Sequence, residues 1–280
     1  MRVASNQLAA GDRSKEEQIE RARRLIDRVG EADLILLPEL WTSGAFAYDR
    51  LEADAEPLEG SGTAGPAGSG GGPTLEAMRE IARERRCHLF AGSWVECSEE
   101  GLHNTAVFLS PEGGVLAAYR KIHLFSYQSR EREMLVPGGS PVVVRTPLGA
   151  FGLATCYDLR FPEMFRALVD RGAECFLVTS GWPYPRLEHW ILLNRVRALE
   201  SQCWLISCNS CGEQGGVRYV GHSMVVDPWG IPAASAGDRE TVLTAEVDLA
   251  RVSEIRAEFP VLADRVLPTP SDSPEPSRLP

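Results

Sequence analysis

One cysteine, one lysine and two or three glutamates in this sequence have the types and neighbours needed to attack a carbonyl carbon. Cys156 closes an apolar run and stands directly before a predicted helix (FGLATCYDLRFPE). A thiol at a helix N-terminus, with a lysine near, has its thiolate favoured by the helix dipole and by charge. Lys121 closes a second apolar run (VLAAYRKIHLF), with Arg120 and His123 close by. Glu39 follows a third (LILLPEL). Strand ends are where an α/β sheet presents functional side chains. Glu131 and Glu133 sit in a polar loop (SREREMLVPGG) ahead of the strand leading to Cys156. An ordinary thiol, with a pKa of about 8.5, is only a few per cent thiolate at neutral pH and needs a base or a cation. A carboxylate and an ammonium brought to it would supply both. Taken singly, Glu39 reads as a solvated loop residue, Cys156 as a small buried hydrophobe and Lys121 as a surface charge. Their shared place at three strand ends is what points to one site.

Other residues with chemical potential have plainer readings. Cys208 and Cys211 form a CxxC (CNSC), the spacing of a redox pair or of half a zinc site. No second CxxC accompanies it, so free buried thiols are the expected state. His189 and His222 are isolated along the chain, and His189 falls in an apolar-rich helix where a core hydrogen bond is expected rather than a metal. The Gly-rich stretch 59–73 lacks the GxxxxGK[ST] pattern of a phosphate cradle and reads as a surface loop.

The elements that must position these residues alternate in type. Val3–Leu8 and Leu34–Pro38 read as buried strands. Between them Ile19, Ala22, Leu25, Ile26 and Val29 recur at helical spacing, with Ser14 and Glu17 placed for a capping box. That unit predicts parallel pairing with a right-handed crossover. A helix is expected over Thr74–Arg85. Strands follow near Cys87–Val95, Thr105–Leu109, Val115–Lys121, Val142–Thr146 and Phe151–Cys156, with a hairpin turn at Pro111–Gly114. Helices at Pro162–Arg171 and Leu187–Ser201 alternate with strands at Cys175–Thr179, Trp204–Cys208, Ser223–Asp227 and Thr241–Val247. The pattern is that of a layered α/β domain over residues 1–266 with mixed sheets. Residues 267–280, rich in Pro and Ser, read as a disordered tail.

Composition narrows the setting. The 280 residues are 44% hydrophobic and 24% charged, as in a soluble globular enzyme. A net charge of −10 argues against nucleic acid as a partner. No apolar run approaches the roughly 20 residues that span a bilayer, and no secretion signal is read at the N-terminus. Seven scattered cysteines suit a reducing compartment, so a cytoplasmic setting is expected.

The segments LLPELW, YRKIHLF and CYDLRFPE resemble the three catalytic signatures of the nitrilase superfamily of carbon–nitrogen hydrolases, and they occur in the family order. The resemblance extends to NTAVFLSPEGGVLAAYRKIHLF, RVRALESQCWLISCN and GHSMVVDPWG, from Val3 to about Val266. It implies a four-layer α-β-β-α sandwich, dimerised across the face that carries the cysteine helix. It implies Glu39 as base, Lys121 as cationic partner and Cys156 as nucleophile, with Glu131 as a fourth catalytic glutamate, or Glu133 in its place. It also puts the Tyr157 backbone N–H in an oxyanion hole and Trp182 in a loop lining the substrate pocket. The CYDLRFPE form looks most like ω-amidases, whose acid-ended substrates would need a cation, for which Arg186 is the candidate. A small-molecule amide substrate and no metal or organic cofactor are expected. Nitrile or N-carbamoyl amine hydrolysis by the same residues is the alternative, and Tyr157 after the cysteine, where nitrile-cleaving members more often carry Trp, points away from it. A CxxC redox or zinc protein is the competing class.

Overall fold

The computed structural model describes residues 1–58 and 71–267. Most of the Gly-rich loop and nearly all of the tail expected at 267–280 therefore lie outside the described residues. The N-terminal half runs β1 (Arg2–Gln7), β2 (Ala9–Ala10), α1 (Lys15–Ile26), β3 (Leu34–Leu36), β4 (Glu56–Pro57), α2 (Pro73–Arg85), β5 (His88–Ser98), β6 (Gly101–Leu109), β7 (Val115–Arg120) and α3 (Glu131–Met134). The C-terminal half runs β8 (Val143–Thr146), β9 (Gly149–Thr155), α4 (Pro162–Asp170), β10 (Cys175–Ser180), α5 (Leu187–Ser201), β11 (Trp204–Asn209), β12 (Cys211–Gln214), β13 (Val217–Arg218), β14 (Met224–Val226), β15 (Pro232–Ser235), β16 (Thr241–Glu246) and α6 (Ala250–Glu258).

Two sheets carry the fold. One has the order β16-β1-β3-β5-β6-β7 with β4 paired to β5; the other is β15-β14-β11-β10-β9-β8. A third, small sheet joins β13, β12 and β2. The strand–helix–strand unit at the N-terminus pairs β1 and β3 in parallel, as its pattern predicts. Ser14 and Glu17 close the capping box on α1, an arrangement worth about 1 kcal/mol.

Inside buried strands, period-two alternation sorts side chains between two apolar layers. Val3, Leu34, Leu36 and Phe90 face the second sheet and join Phe151, Leu153 and Leu177 in one cluster. Ala4, Ile35, Leu37 and Leu89 face outward against Leu25, Ile26, Met78 and Ile81 of α1 and α2. Across the sheet interface Phe108 stacks on Phe151, and the Ser5 hydroxyl donates to the Ser207 carbonyl at 2.9 Å. With α4 and α5 covering the far face of the second sheet, the layers run α-β-β-α.

Several elements depart from their expected bounds. β3 stops at Leu36 rather than at Pro38. Pro38 has no N–H for the ladder. The carbonyls of Leu37 and Pro38 accept instead from Thr179 Oγ1, on the other sheet, and from the Ser93 N–H. β5 runs on to Ser98 and carries a bulge between Phe90 and Ser93. Gly92 sits in that bulge at φ +68°, where a Cβ would lie 2.1 Å from the Pro38 carbonyl oxygen, so only glycine allows the approach. The loop expected around Glu131 contains one helical turn, α3. α6 has no counterpart in the expected elements; it buries only Val252 and Ile255 among charged neighbours, too thin an apolar stripe to read. Among the described residues no helix is long and apolar enough to cross a membrane.

Candidate active site

Glu39 lies just past β3, where the chain leaves the first sheet and reaches the second. Its backbone N–H donates to the Ser180 carbonyl at 3.4 Å, and its Oε2 accepts from the Gly181 N–H at 2.8 Å. Lys121 is the first residue after β7 and is tied back to β6, its N–H donating to the Asn104 carbonyl at 2.9 Å. Its side chain turns inward and is 1% exposed. Glu131 on α3 is 5% exposed. These three meet: Lys121 Nζ donates to Glu39 Oε1 at 2.8 Å, and to Glu131 Oε1 and Oε2 at 2.8 and 3.1 Å. Glu133, two residues on, points to solvent with 72% of its side chain exposed and pairs loosely with Arg130. One turn of helix puts residues i and i+2 on different faces, which separates the two glutamates.

Cys156 follows β9 and adopts φ +46°, a left-handed conformation that a non-glycine residue holds only under constraint from its surroundings. The constraint comes from Asp158, fully buried two residues on. Its Oδ2 accepts from the Thr155 N–H at 2.8 Å and from the Tyr119 hydroxyl at 2.7 Å. Its Oδ1 accepts from the His123 N–H at 3.2 Å and lies 2.8 Å from His123 Nδ1. Because Tyr119 and His123 flank Lys121, this carboxylate clamps the Cys156 turn to the lysine segment. The helix expected directly after Cys156 is first a tight 3₁₀ turn, Cys156–Arg160, and α4 begins at Pro162.

Electrostatics correct the expectation of a favoured thiolate. Burial, with the Glu39 carboxylate next in weight, pushes the Cys156 thiol well above its ordinary range, against the smaller opposing pull of Lys121. Burial also works against the charge of Lys121, but Glu131 and Glu39 more than offset it and hold the ammonium firmly protonated. Burial raises Glu131, against the pull of Lys121. The Cys156 side chain is therefore a neutral thiol beside an ion-paired cluster.

Cys156, Glu39, Lys121 and Glu131 all line one cavity. Its walls include Phe46, Phe125, Tyr157 and Trp182. Trp182 donates its N–H to Asn209 Oδ1 at 2.7 Å and its Nε1–H to the Arg186 carbonyl at 2.9 Å, which fixes this wall. Arg186 stands over the rings of Phe125 and Tyr127 at 5.7 and 5.4 Å. Arg160, unremarked in the sequence, also lines the cavity, its guanidinium 4.7 Å from the Trp182 ring centroid. Burial pulls it below the usual guanidinium range, and Arg186 nearby adds to this. Among the described residues neither arginine forms an ion pair with a carboxylate. Arg160 lies inside the CYDLRFPE segment that also carries Cys156, and that place is the one signal in the sequence that could have marked it.

His189 differs from its expectation: it is exposed on the outer side of α5, where its Nδ1 accepts from Arg160 Nη2 at 3.2 Å. Cys208 and Cys211 are buried and free, with Cys208 Sγ 3.3 Å from the Asn6 carbonyl. Among the described residues no group of His, Cys, Asp or Glu is placed to hold a metal ion.

Comparison with known proteins places this geometry among relatives. The family model described as carbon–nitrogen hydrolase matches residues 2–257. The chain is 36% identical over 258 residues to a 2-oxoglutaramate amidase of Paenarthrobacter nicotinovorans, spanning 89% of this chain and 84% of that one. It is 33% identical to an ω-amidase of Xenopus laevis, over 90% of each chain. Among solved structures it is similar to a mutant of the amidase from Nesterenkonia sp. AN1, in which acrylamide has added to the active-site cysteine. That match has a TM-score of 0.75 and 28% identity, and covers 92% of this chain and 98% of that one.

Proposed function

We infer the reaction of this chain from the family to which it belongs, the carbon–nitrogen hydrolases: it hydrolyses a small linear amide through a thioester on Cys156. The observation that carries the residue assignment is the Lys121 ammonium held between Glu39 and Glu131 in the cavity that Cys156 lines. Glu39 takes the thiol proton as Cys156 Sγ bonds to the amide carbon. The carbonyl oxygen becomes an oxyanion held by Lys121 Nζ and the Tyr157 N–H. Such preorganised donors are each worth about 10²- to 10³-fold in rate. Glu39 returns the proton to the nitrogen, the C–N bond breaks, and ammonia leaves an acyl thioester. Water attacks the thioester after giving a proton to Glu39, and the acid leaves as the thiol is reprotonated. Glu131 is the second carboxylate that holds the ammonium of Lys121.

The acyl group we assign is a short chain ending in a carboxylate. Arg160 and Arg186 support this: two guanidiniums in one cavity, without carboxylate partners among the described residues, repel one another until an anion joins them. The names of the relatives, a 2-oxoglutaramate amidase and an ω-amidase, agree with such a substrate. Ammonia release should be at least about tenfold more efficient in kcat/KM from succinamate-like monoamides than from neutral amides of equal length, since one charge-assisted pair is worth ~1.5–3 kcal/mol. Arg160→Ala and Arg186→Ala should each erase most of that preference while sparing the neutral amides. Equal cleavage of both amide classes by the wild type rules out the acidic acyl group. Release from nitriles or carbamoyl amines in preference to amides moves the assignment to that branch.

We place a second copy of this chain on the outer side of α5. There Leu192, Val196 and Leu199 are exposed at positions i, i+4 and i+7, beside exposed Trp229 and Phe259, whose rings stack. A contiguous apolar face of this kind marks an association surface, and it belongs to the layer that follows the cysteine turn. The expected species in sedimentation is a dimer, converted to monomer by Leu192→Glu with Leu199→Glu; an unchanged mass for that variant refutes the placement. The seven free cysteines suit a cytoplasmic setting for this assembly.

A further inference from the structure

The buried cluster holds two carboxylates, Glu39 and Glu131, against one ammonium, Lys121, with 5% or less of each residue exposed. Excess negative charge away from water is costly unless neutral donors meet it. Two of those donors are backbone N–H groups, from Gly181 to Glu39 Oε2 and from Phe125 to Glu131 Oε2, each at 2.8 Å. They treat the carboxylates alike. The third is the side chain of Asn104, which does not. Asn104 stands on β6 opposite Val95 and is fully buried. Its Nδ2 is 2.8 Å from Glu39 Oε1 but 3.5 Å from Glu131 Oε1. The amide cannot be turned the other way, because its oxygen would then face two acceptors. Its Oδ1 is buried without a hydrogen-bond partner, a cost that holding the carboxylates must offset. The same residue fixes Lys121, through its carbonyl.

We propose that Asn104 is a positioning residue that selects Glu39, rather than Glu131, as the carboxylate kept ionised to take the Cys156 proton. The inference rests on the reading of Glu39 as base. A hydrogen-bond donor supports the charged form of the carboxylate it meets, and the short bond gives that support to Glu39. Among the described residues, the other ionisable groups interacting with Glu39 are Lys121, Glu131, Cys156 and Tyr219, while Tyr48 lies near Glu131 and Lys121. Burial raises both tyrosines, so they stay neutral, and Lys121 stays charged; none of them can replace the selection that Asn104 makes.

The sign follows directly. With the donor gone, the charged carboxylate of Glu39 loses that support, and activity that needs it is lost at a higher pH than before. Asn104→Leu, with the same branched skeleton but no amide, should move the acidic limb of the kcat/KM profile up by about one pH unit. The plateau above the limb should fall far less than the activity at the wild-type midpoint. A merely structural role would lower the whole profile and leave the limb where it was. The pH dependence of Cys156 alkylation by iodoacetamide, measured on protein shown to be folded by near-ultraviolet dichroism, should shift in the same direction. Asn104→Ser keeps one donor in a smaller side chain and is expected to shift the limb by less. An unshifted limb in whichever of the two variants folds overturns the proposal. Glu39→Gln, run alongside, separates the two readings: if it retains activity the base assignment fails, whereas a dead Glu39→Gln with an unshifted Asn104 variant rejects the role of Asn104 alone.

Discussion

Cys156→Ala is expected to abolish turnover, with a loss of at least about 10⁴-fold, the scale on which removal of a covalent nucleophile acts. The same loss is expected for Cys156→Ser. The site already holds a thiol above its ordinary range, and a hydroxyl, ionising several units higher still, gives Glu39 no proton it can take at neutral pH. The backbone at φ +46° is held by Asp158 rather than by the cysteine side chain, so both variants should fold as the wild type does. Two measurements check this. Steady-state ammonia release gives the loss, and intact-protein mass spectrometry with a slow substrate should show an acyl adduct on the wild type and none on either variant. Residual activity above a tenth of wild type, in protein free of contaminating hydrolase, refutes Cys156 as the nucleophile.

The second large effect lies in the ion-paired cluster. Glu39→Gln and Lys121→Met should each lower kcat by at least about 100-fold, since one removes the proposed proton acceptor and the other the proposed oxyanion donor. Their side effects should differ. Glu39→Gln removes one of two competing carboxylates but sets its NH2 against donors, either the Gly181 N–H or Lys121 and Asn104, so its stability loss should be modest. Lys121→Met leaves Glu39 and Glu131 buried without their cation, and breaking a buried pair in this way costs on the order of 3–5 kcal/mol. Its melting temperature should fall, and recover in part when Glu131→Gln is added. Glu131→Gln alone should cost activity because Lys121 loses a charged partner, whereas Glu133→Gln, at an exposed side chain, should be silent. Equal effects at the two glutamates would remove Glu131 from the site.

Why Glu131 rather than Glu133 meets Lys121 was not legible in SREREM. Both are acidic, both precede the same proline, and the choice is made by one turn of helix whose phase depends on Phe125 and Ser129. Arg160 shows the same limit in another form. It lay in a recognised motif, yet its role as a cavity cation follows from how Trp182, from a different strand connection, packs against it. Asn104 carries no signal in the sequence, because an asparagine inside a strand has no pattern of its own; its meaning comes from Glu39, 65 residues away, and Glu131, 27 residues away.

The local decisions did belong to the sequence. Apolar runs closed by Glu, Lys or Cys put those three side chains at strand ends, and Ser14 with Glu17 started α1. Gly113 and its neighbours closed the β6–β7 hairpin. Period-two alternation assigned each buried strand residue to one of two apolar layers. These are short-range consequences of dihedral preference, hydrogen-bonding capacity and hydrophobic burial, and a few residues suffice to express them. What only the tertiary structure decided was charge. Burial beside Glu39 made Cys156 a reluctant thiol, although its place before a helix spoke for a thiolate. Burial between two carboxylates made Lys121 a locked cation, although a lysine among Arg120 and His123 reads as surface. Sequence neighbours act through dipoles and hydrogen bonds over a few ångströms along the chain. Desolvation depends on everything that packs around a group, and in this site that packing comes from both sheets at once.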